Sequence, residues 1–203
     1  MSADSGPHVK GAAAEEPSRR DFIHIFGAAI AGVGAVGAIV PLVDQMNPDA
    51  SVRALSTKEV DLAAIEPGQA IKVMWQGKPV FIRRRTAEEI REAETAQVSS
   101  LKDEAARNDN LPADAVATDM DRVTDAEGKT HPEWLILVGV CTHLGCIPLG
   151  TAQGEVRGDF QGWFCPCHGS HYDLAGRIRK GPAPENLRVP PYQFVSDTAI
   201  RIG

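Results

Sequence analysis

The amino-acid sequence predicts a mainly β fold, in which an antiparallel β-sandwich head carries one N-terminal transmembrane helix and a partly helical insertion. Residues 22–43 form a continuous apolar segment that contains no Asp, Glu, Lys or Arg. From residue 60 onward, short apolar runs alternate with clusters of turn-forming residues, which is typical of strands. Residues 86–130 interrupt these runs with charged, helix-permissive and acidic loop-like sequence. The head is therefore predicted over 60–203, with the insertion at 86–130.

The composition narrows the classes of function. The 203 residues carry 27 acidic and 21 basic side chains, which give a net charge of −6. No domain-wide basic face is expected, so the sequence predicts no nucleic acid among the partners. The four cysteines all lie between 141 and 167. They are too few for a disulfide-dense secreted scaffold.

Residues 22–43 are predicted to be an uncleaved, single-span membrane anchor. As a helix, these 22 residues would extend about 33 Å, enough for a hydrocarbon core of about 30 Å. The alternative is a cleaved signal peptide, but the apolar region of a signal peptide is only about 7–15 residues long. Pro41 is expected to kink or end the helix near its exit from the membrane.

Two arginines, Arg19 and Arg20, precede the apolar segment in the string Ser-Arg-Arg-Asp-Phe-Ile. The positive-inside rule assigns residues 1–21 to a cytoplasmic tail. The string also resembles a twin-arginine export signal, with two ordinary juxtamembrane charges as the alternative. The head is then expected in the periplasm, and the chain in the bacterial inner membrane. Residues 44–59 contain an Asn-Pro pair and lack an apolar period, which predicts a flexible tether.

Within the head, the clearest strand signals lie on either side of a turn. Residues 71–75 and 80–83 are predicted to be strands joined by a Gln-Gly-Lys-Pro turn. The apolar run 134–140 is predicted to be a buried strand. Further short strands are predicted at 154–165, 170–173 and 191–202.

Two polar features of the head are interpreted as solvated surface. The basic run from Arg83 to Arg85 is typical of a solvated strand end, with a docking role as the alternative. The insertion is expected to lie mostly on the surface, and His131 is expected to be solvated. By contrast, Trp134 and Trp163 are expected to lie in the core.

Two short motifs, well separated along the chain, each supply one thiolate and one imidazole. The first is Cys141-x-His143 and the second is Cys165-x-x-His168. Two cysteines and two histidines can bind zinc in a tetrahedral site. The same residues can bind a 2Fe–2S cluster in which two histidines replace two cysteines on one iron. His171, close behind, is interpreted as a structural or exposed histidine rather than a third imidazole ligand.

Two further cysteines, Cys146 and Cys167, help to distinguish zinc from an iron–sulfur cluster. A zinc site needs four ligands, whereas six Cys and His residues besides His171 occur in these two loops. If Cys146 and Cys167 form a disulfide, that bond would clamp the loops together, and an oxidising compartment permits it. The surplus of cysteines favours the iron–sulfur cluster.

The strings CTHLGC at 141–146 and CPCHGSHYD at 165–173 resemble the Rieske iron–sulfur subunits of the ubiquinol–cytochrome c oxidoreductase, or cytochrome bc1 complex, in its bacterial form. GKPVFIRRRT at 77–86 and GRIRKGPAPENL at 176–187 also match this family, as do the twin arginines and the anchor. The resemblance covers nearly the whole chain and is weakest in the N-terminal tail and the middle of the insertion. It implies a Rieske-type head whose cluster-binding subdomain spans 141–184.

The resemblance implies one cofactor, a Rieske [2Fe–2S] cluster, and assigns its ligands. Cys141 and Cys165 are implied to bind one iron, and His143 and His168 the other iron. Two neutral imidazoles in place of two thiolates leave the cluster less negative, so it accepts an electron more readily. Each ligating imidazole keeps a second nitrogen that can carry a proton, and electron and proton uptake are therefore coupled.

The resemblance also assigns residues around the cluster. It implies a disulfide between Cys146 and Cys167. Ser170 and Tyr172 match the hydroxyls that donate hydrogen bonds to a bridging sulfide and to a cysteine sulfur, which raises the reduction potential. Gly181, Pro182 and Pro184 match the loop that covers the cluster. Leu144 lies between ligands at the cluster tip, where an apolar docking contact is expected, with simple loop packing as the alternative.

The function implied by the resemblance is electron transfer within a quinol–cytochrome c reductase. The chain would be active as a subunit of that complex, which is expected to be dimeric, beside cytochrome b and cytochrome c1. Ubiquinol would give up one electron and a proton at the quinol-oxidation site, where His168 and His143 are the catalytic residues. The head would then swing on its tether and reduce cytochrome c1, which supports proton translocation.

Three other classes of protein are alternatives, and each is weighed by the sequence features expected of it. A Rieske ferredoxin or oxygenase subunit usually lacks the second cysteine pair and the membrane anchor. The related subunit of the photosynthetic quinol–plastocyanin reductase is disfavoured by the basic run and the long insertion. A membrane-anchored zinc domain without a redox role would use the same two cysteines and two histidines.

Overall fold

The structure, a computed structural model, describes residues 18–47 and 56–203. The chain divides into two compact units, residues 1–49 and residues 50–203. The predicted cytoplasmic tail before residue 18 and the tether residues 48–55 lie outside the described residues. Those two predictions therefore stay predictions.

The first unit contains a long helix, α1, that runs from Arg19 to Asp44. Its 26 residues extend roughly 39 Å, so it is long enough to cross a membrane, and an 18-residue stretch of it has a mean hydropathy of 2.1. Ser18 caps the helix, because its hydroxyl accepts the N–H of Asp21 while the Asp21 carboxylate accepts the N–H of Ser18 at 2.9 Å. Pro41 lies inside the helix, which continues beyond it, so the proline does not end α1.

The second unit is built from three antiparallel sheets of three strands each, which confirms the mainly β fold. One sheet joins β1 (Lys58–Asp61), β9 (Ala199–Ile202) and β8 (Tyr192–Ser196) in that spatial order. The central strand of this sheet is thus β9, which follows β1 by more than a hundred residues of sequence.

The second sheet contains the predicted hairpin and the predicted buried strand. It joins β2 (Ala70–Trp75), β3 (Lys78–Arg84) and β4 (Trp134–Val138) in that order. The turn is shorter than predicted and has two central residues, Gln76 and Gly77, with φ of 47° and 74°. Positive φ at both positions is what a two-residue hairpin turn requires.

The third sheet joins β5 (Trp163–Cys165), β6 (Ser170–Tyr172) and β7 (Ile178–Lys180). The prediction of a strand over 154–165 is wrong except for its last three residues. The Glu155 carboxylate accepts backbone N–H groups at 2.8, 2.9 and 3.0 Å and folds the preceding segment into a loop. These donors are Gly150, Thr151 and Ala152.

All three sheets contribute side chains to one hydrophobic core. Phe81 of β3 and Trp163 of β5 stack in it with their ring centroids 6.2 Å apart. Trp134 is also buried there, as predicted. Cys141 and Cys165, the first cysteines of the two motifs, are part of this core and pack against its side chains.

The insertion is helical in part and lies mostly on the surface, as predicted, although a minority of its residues is buried. It contains α2 (Ala87–Glu94), a 3₁₀ turn (Val98–Ser100) and α3 (Asp119–Arg122). Several of its apolar side chains are buried, namely Ala93, Leu101, Ala106, Ala117 and Val123. A smaller set of its polar residues, which includes Asp119 and Arg122, is buried against the head.

Arg122 shows how the polar residues of the insertion are satisfied. Its guanidinium is fully buried and donates to the backbone carbonyls of Ala106, Ala175 and Leu187. Two of these carbonyls belong to the segments that follow β6 and β7. The insertion is therefore hydrogen-bonded to the connection between β6 and β7 and to the segment that follows the third sheet.

The interpretation of the basic run as a solvated strand end is wrong. The Arg83 guanidinium pairs with Glu89 of α2, with 2.5 Å between Nη2 and Oε1. Arg85 donates to both carboxylate oxygens of Asp119 in α3, at 2.6 and 2.9 Å. Both arginines are buried, and a buried guanidinium is tolerated when a carboxylate is held beside it.

The expectation that His131 is solvated is also wrong. Its side chain is buried, its Nε2 lies 3.0 Å from Oδ2 of Asp125, and its ring stacks on Phe194 at 3.8 Å between centroids. The Asp125 carboxylate is within hydrogen-bond distance of the imidazole nitrogen, and the Phe194 ring packs on the imidazole face. The sequence gives no sign of either partner around residue 131.

Candidate metal centre

The two predicted motifs lie in two loops of similar construction. The first loop begins at Cys141, and its backbone carbonyl accepts the N–H of Gly145 at 3.0 Å. The second begins at Cys165, the last residue of β5, and its carbonyl accepts the N–H of Gly169 at 3.0 Å. Gly145 and Gly169 have φ of 81° and 72°, a conformation that favours glycine. Each loop thus reverses within five residues and returns its chain to the core.

A disulfide between Cys146 and Cys167 joins the tips of the two loops, with 6.8 Å between the two Cα atoms. The Sγ atom of Cys165 lies within 4.8 Å of both disulfide sulfurs. The structure thus pairs the two cysteines that the resemblance pairs. Sulfur atoms in a disulfide carry no thiolate, which leaves Cys141 and Cys165 as the thiols available to a metal.

Cys141 and Cys165 are both buried, with 2% and 1% of their surface exposed. Burial, followed by the neighbouring Cys141 thiol, raises the pKa of the Cys165 thiol. Two adjacent buried thiols are an unfavourable place for negative charge unless a metal ion offsets it, and a metal deprotonates the thiols that bind it. The pair therefore has the chemistry of a metal-binding site.

The two predicted histidine ligands lie next to each other. The imidazole rings of His143 and His168 are 4.6 Å apart between centroids and nearly perpendicular, at 85°. Nδ1 of His143 is buried and has no hydrogen-bond partner in the part of the chain that the structure describes. A buried imidazole nitrogen without a partner suits a metal ligand. The residue His168 is exposed, so one imidazole of the pair reaches the protein surface.

This donor set fits a 2Fe–2S cluster with mixed ligands. The two free thiols and the two neighbouring imidazoles lie in the two loops that the disulfide joins. That arrangement provides one thiol pair for one iron and one imidazole pair for the other. The same set of four donors also satisfies a zinc ion, so the donors alone do not distinguish the two.

Tyr172 and Ser170, predicted as hydroxyl donors near the cluster, are buried on β6. The Tyr172 hydroxyl donates to Sγ of Cys141 at 3.3 Å. Burial, and then the Cys141 thiol, raise the pKa of Tyr172 well above its usual value, so its hydroxyl stays a donor. Ser170 Oγ accepts the N–H of Ala183 at 3.2 Å, which leaves its hydroxyl hydrogen to donate elsewhere.

The predicted covering loop, residues 181–184, packs against both motif loops together with the two residues that follow it, and 181–186 are called the covering loop below. Gly181 has a φ of 100°, and a Cβ atom there would lie 2.3 Å from the carbonyl oxygen of Gly169. At the other end of the loop, the Thr142 hydroxyl donates to the carbonyl of Glu185 at 2.7 Å. Pro182 and Pro184 are exposed on the outer side of the loop. The covering loop thus touches each of the two motif loops.

Leu144 lies at the tip of the first loop with 71% of its surface exposed. Its side chain therefore lies largely in solvent and is not packed within the loop. His171, by contrast, is structural, as predicted. Its Nδ1 accepts the N–H of Asp159 at 3.0 Å, and its ring packs on Phe164 at 4.8 Å between centroids.

Sequence reasoning missed three residues that hold the covering loop. Thr142 was recognisable in principle, because a hydroxyl between two motif residues can hydrogen-bond the backbone nearby. Lys102 and Asp103 were not recognisable, because their partners in the covering loop follow them by about eighty residues. No local pattern in the insertion points to that contact.

Two family profiles match parts of this chain. A family profile described as "Rieske [2Fe-2S] domain" matches residues 95–192. A second profile, described as "Ubiquitinol-cytochrome C reductase Fe-S subunit TAT signal", matches residues 9–49. A solved structure titled "Hyperthermophilic respiratory Complex III" is 26% identical, covers 87% of this chain and 98% of its own, and has a TM-score of 0.44.

Curated bacterial proteins named "Ubiquinol-cytochrome c reductase iron-sulfur subunit" are similar over nearly the whole chain. That of Rhodospirillum rubrum is 52% identical over 97% of this chain and 97% of its own length. Those of Cereibacter sphaeroides and Rhodobacter capsulatus are 53% and 50% identical, each over 92% of this chain and 95% of its own length. The chain therefore belongs to the family of iron–sulfur subunits of ubiquinol–cytochrome c reductase, and it carries a Rieske [2Fe–2S] domain.

Proposed function

We propose that this chain is the electron-transferring subunit of a bacterial cytochrome bc1 complex. It takes one electron and one proton from ubiquinol and passes the electron to cytochrome c1, which supports proton translocation by the complex. The observation that carries this proposal is the pair of buried thiols beside two neighbouring imidazoles, one of which reaches the surface. The family profiles and relatives support the same function over nearly the full chain.

The residues proposed to hold the [2Fe–2S] cluster are Cys141 and Cys165 on one iron, and His143 and His168 on the other. When bound, the cluster supplies a one-electron acceptor of high potential. The Tyr172 hydroxyl donates to the Cys141 sulfur and so favours the more negative, reduced state. Ser170 is proposed to donate its free hydroxyl hydrogen to a cluster sulfide.

The exposed imidazole of His168 is proposed to contact the substrate. Its position at the surface allows a ring nitrogen to accept a hydrogen bond from a quinol hydroxyl and to take up the proton. His143, beside it, is the second proposed catalytic histidine. Leu144 and the prolines of the covering loop give the surrounding surface an apolar rim, which suits docking where an apolar quinone ring is bound.

The location and partners are proposed from the anchor and the export signal. Helix α1 would cross the bacterial inner membrane once, with the N-terminus in the cytoplasm and the head in the periplasm. Cytochrome b and cytochrome c1 are the proposed partners within a dimeric complex. The proposed tether on which the head swings is the part of the predicted segment 44–59 that lies between α1, which ends at Asp44, and β1, which begins at Lys58. Replacing both Ala54 and Leu55 by proline is expected to slow turnover of the complex without changing the spectrum of the cluster, and an unchanged rate would contradict the swing.

The first experiment is a redox titration of the full chain in detergent, after its iron and zinc contents have been measured. We expect two iron atoms per chain, a Rieske signal in the electron paramagnetic resonance (EPR) spectrum of the reduced state, and a high midpoint potential that falls as pH rises. A low, pH-independent midpoint would indicate a ferredoxin-type carrier. Zinc without an EPR signal, in cells with adequate iron, would indicate a structural zinc domain.

A further inference from the structure

The covering loop is fastened to the insertion by two adjacent residues. Nζ of Lys102 donates to the backbone carbonyls of Gly181 and Ala183, at 2.8 Å each. The carboxylate of Asp103 accepts the backbone N–H of Asn186 at 2.9 Å. Lys102 thus holds the first half of the covering loop, and Asp103 holds its end.

The side chain of Asn186 strengthens this second attachment. Its Nδ2 donates to the carbonyls of Asp103 and Ala105, at 2.9 and 2.8 Å, and its Oδ1 accepts the N–H of Ile178 at 2.9 Å. Although burial raises the pKa of Asp103, hydrogen bonds from Arg107 and from the N–H groups of Asn186 and Ala105 outweigh it and hold that pKa below its usual value. The end of the covering loop is therefore fixed by charged and neutral hydrogen bonds together.

A short path of hydrogen bonds runs from Lys102 to the proposed cluster environment. Ala183 is fully buried, and its carbonyl accepts from Lys102 while its N–H donates to Ser170 Oγ at 3.2 Å. An N–H that occupies a lone pair of a hydroxyl oxygen also restricts the directions in which that hydroxyl can donate. The position of Ala183 thereby fixes the orientation of the Ser170 hydroxyl.

We propose that Lys102 is a positioning residue that sets the reduction potential of the cluster through Ala183 and Ser170. It holds the covering loop so that the Ser170 hydroxyl donates toward the cluster, which favours the reduced state. This inference rests on the proposed function, because it needs a cluster for Ser170 to face. It gives the insertion a role in tuning the redox centre and not only in supporting the fold.

Two physical effects of Lys102 must be separated, its positive charge and its hydrogen bonds to the loop. Lys180 offers a matched control, because it directly precedes the covering loop and carries the same charge. Its Nζ pairs with Asp159 Oδ2 at 2.9 Å instead of holding the carbonyls of the loop. Both members of that pair are largely exposed, so its removal leaves the backbone of the loop in place.

The experiment measures the midpoint potential and the EPR spectrum of the full chain with its cluster for Lys102→Met, Lys102→Arg and Lys180→Met. We expect Lys102→Met to lower the equilibrium constant for reduction about threefold, which corresponds to about 28 mV for one electron. Lys102→Arg keeps a charged donor for the two carbonyls and is expected to restore most of the loss. Lys180→Met is expected to leave the potential unchanged.

The Ser170→Ala background tests the path itself. If Lys102 acts through Ser170, Lys102→Met lowers the potential of the wild type but not that of Ser170→Ala. An unchanged potential in Lys102→Met overturns the proposal, and so do equal decreases in Lys102→Met and Lys180→Met, which would indicate a charge effect alone. If Lys102→Met lacks the cluster, Lys102→Gln, which keeps one donor group, is measured in its place under the same criteria. A wild-type chain without a Rieske signal overturns the proposed function instead.

Discussion

The insertion and the cluster end of the head differ in whether their buried polar groups have hydrogen-bond partners within the protein. In the insertion, buried charged groups have protein partners: Arg122 donates to three carbonyls, and Arg85 and Asp119 form a two-bond pair. At the cluster end, two buried thiols are free, and a buried nitrogen of His143 has no partner among the described residues. Free thiols and an imidazole nitrogen without a partner are groups that a metal can bind.

This contrast distinguishes residues that stabilise the fold of the head from residues that are proposed to bind the cluster or to set its potential. Loss of a matched buried charge leaves its partners unsatisfied and costs folding free energy. Loss of a ligand or of its hydrogen-bond donor changes the cofactor while the fold survives. Substitutions in the two regions should therefore differ in which measurement they change.

The largest loss of stability is expected from Arg122→Met in the insertion. The substitution leaves three buried carbonyls without their donor, and we expect the free energy of unfolding to fall by about 4 kcal/mol. Arg188→Met is the matched control, because Arg188 is exposed and pairs with Asp109 at the surface. Thermal and denaturant unfolding of the full chain in detergent measure both variants. Similar losses in the two would remove the distinction between buried and exposed arginines.

The next largest effect is expected from Gly181→Ala at the cluster end. A Cβ atom would meet the backbone of Gly169 at 2.3 Å, and the φ of 100° disfavours alanine as well. We expect the covering loop to move away from the second motif loop at a cost of about 3 kcal/mol, seen as faster loss of the EPR signal on storage. Gly154→Ala, also at positive φ but with open space around it, should cost only about 1 kcal/mol. Equal signal loss in the two variants would show that backbone conformation, and not packing, decides.

A pH-dependent effect of intermediate size is expected at Glu89. Burial raises its pKa, but the Arg83 guanidinium, the N–H of Thr86 and Arg157 outweigh burial and lower it below the usual value. A lowered pKa means that this carboxylate stabilises the fold above its unfolded pKa of about 4.3, and that the stabilisation is lost as pH falls through the folded value.

We expect Glu89→Gln to reduce the free energy of unfolding by about 2 kcal/mol at pH 7. Its stability should then fall less steeply than that of the wild type as the pH is lowered below about 5. Glu88→Gln, at an exposed neighbouring position, is the control and should follow the wild type. Parallel pH profiles for Glu89→Gln and the wild type would contradict the assignment.

The smallest effect on stability, but a clear one on the cofactor, is expected from Tyr172→Phe. The variant loses one hydrogen bond to the Cys141 sulfur, which should lower the midpoint potential by about 40 mV for a bond worth about 1 kcal/mol. The free energy of unfolding should change by no more than about 1 kcal/mol. If Tyr172→Phe changes the free energy of unfolding but leaves the midpoint potential unchanged, Tyr172 contributes only to core packing.

The sequence predicted best the features that are encoded locally. The long apolar helix, the hairpin of β2 and β3 and the two motif loops each depend on residues close together in the chain. The structure brings the predicted thiols and imidazoles together at one end of the head. Their roles as cluster ligands stay predictions, since donor geometry alone also suits zinc.

Features that depend on distant partners were not predictable. Arg83 and Arg85 look like a solvated basic run until α2 and α3 place carboxylates beside them. His131 is buried because Phe194 lies 63 positions later in the chain and packs on its ring. The same reasoning applies to Lys102, whose two acceptors are separated from it by most of the head. A charged residue at the surface and one in the core have the same appearance in sequence.

The position of β9 has a consequence for the biosynthesis of the chain. Because β9 lies between β1 and β8, the first strand of the head has no neighbour until residues 199–202 have been synthesised. The head cannot complete this sheet while its last strand is still within the ribosome. An export route that accepts finished, folded cargo would suit such a head, since a route that threads the chain as it is made would deliver β1 long before its partner.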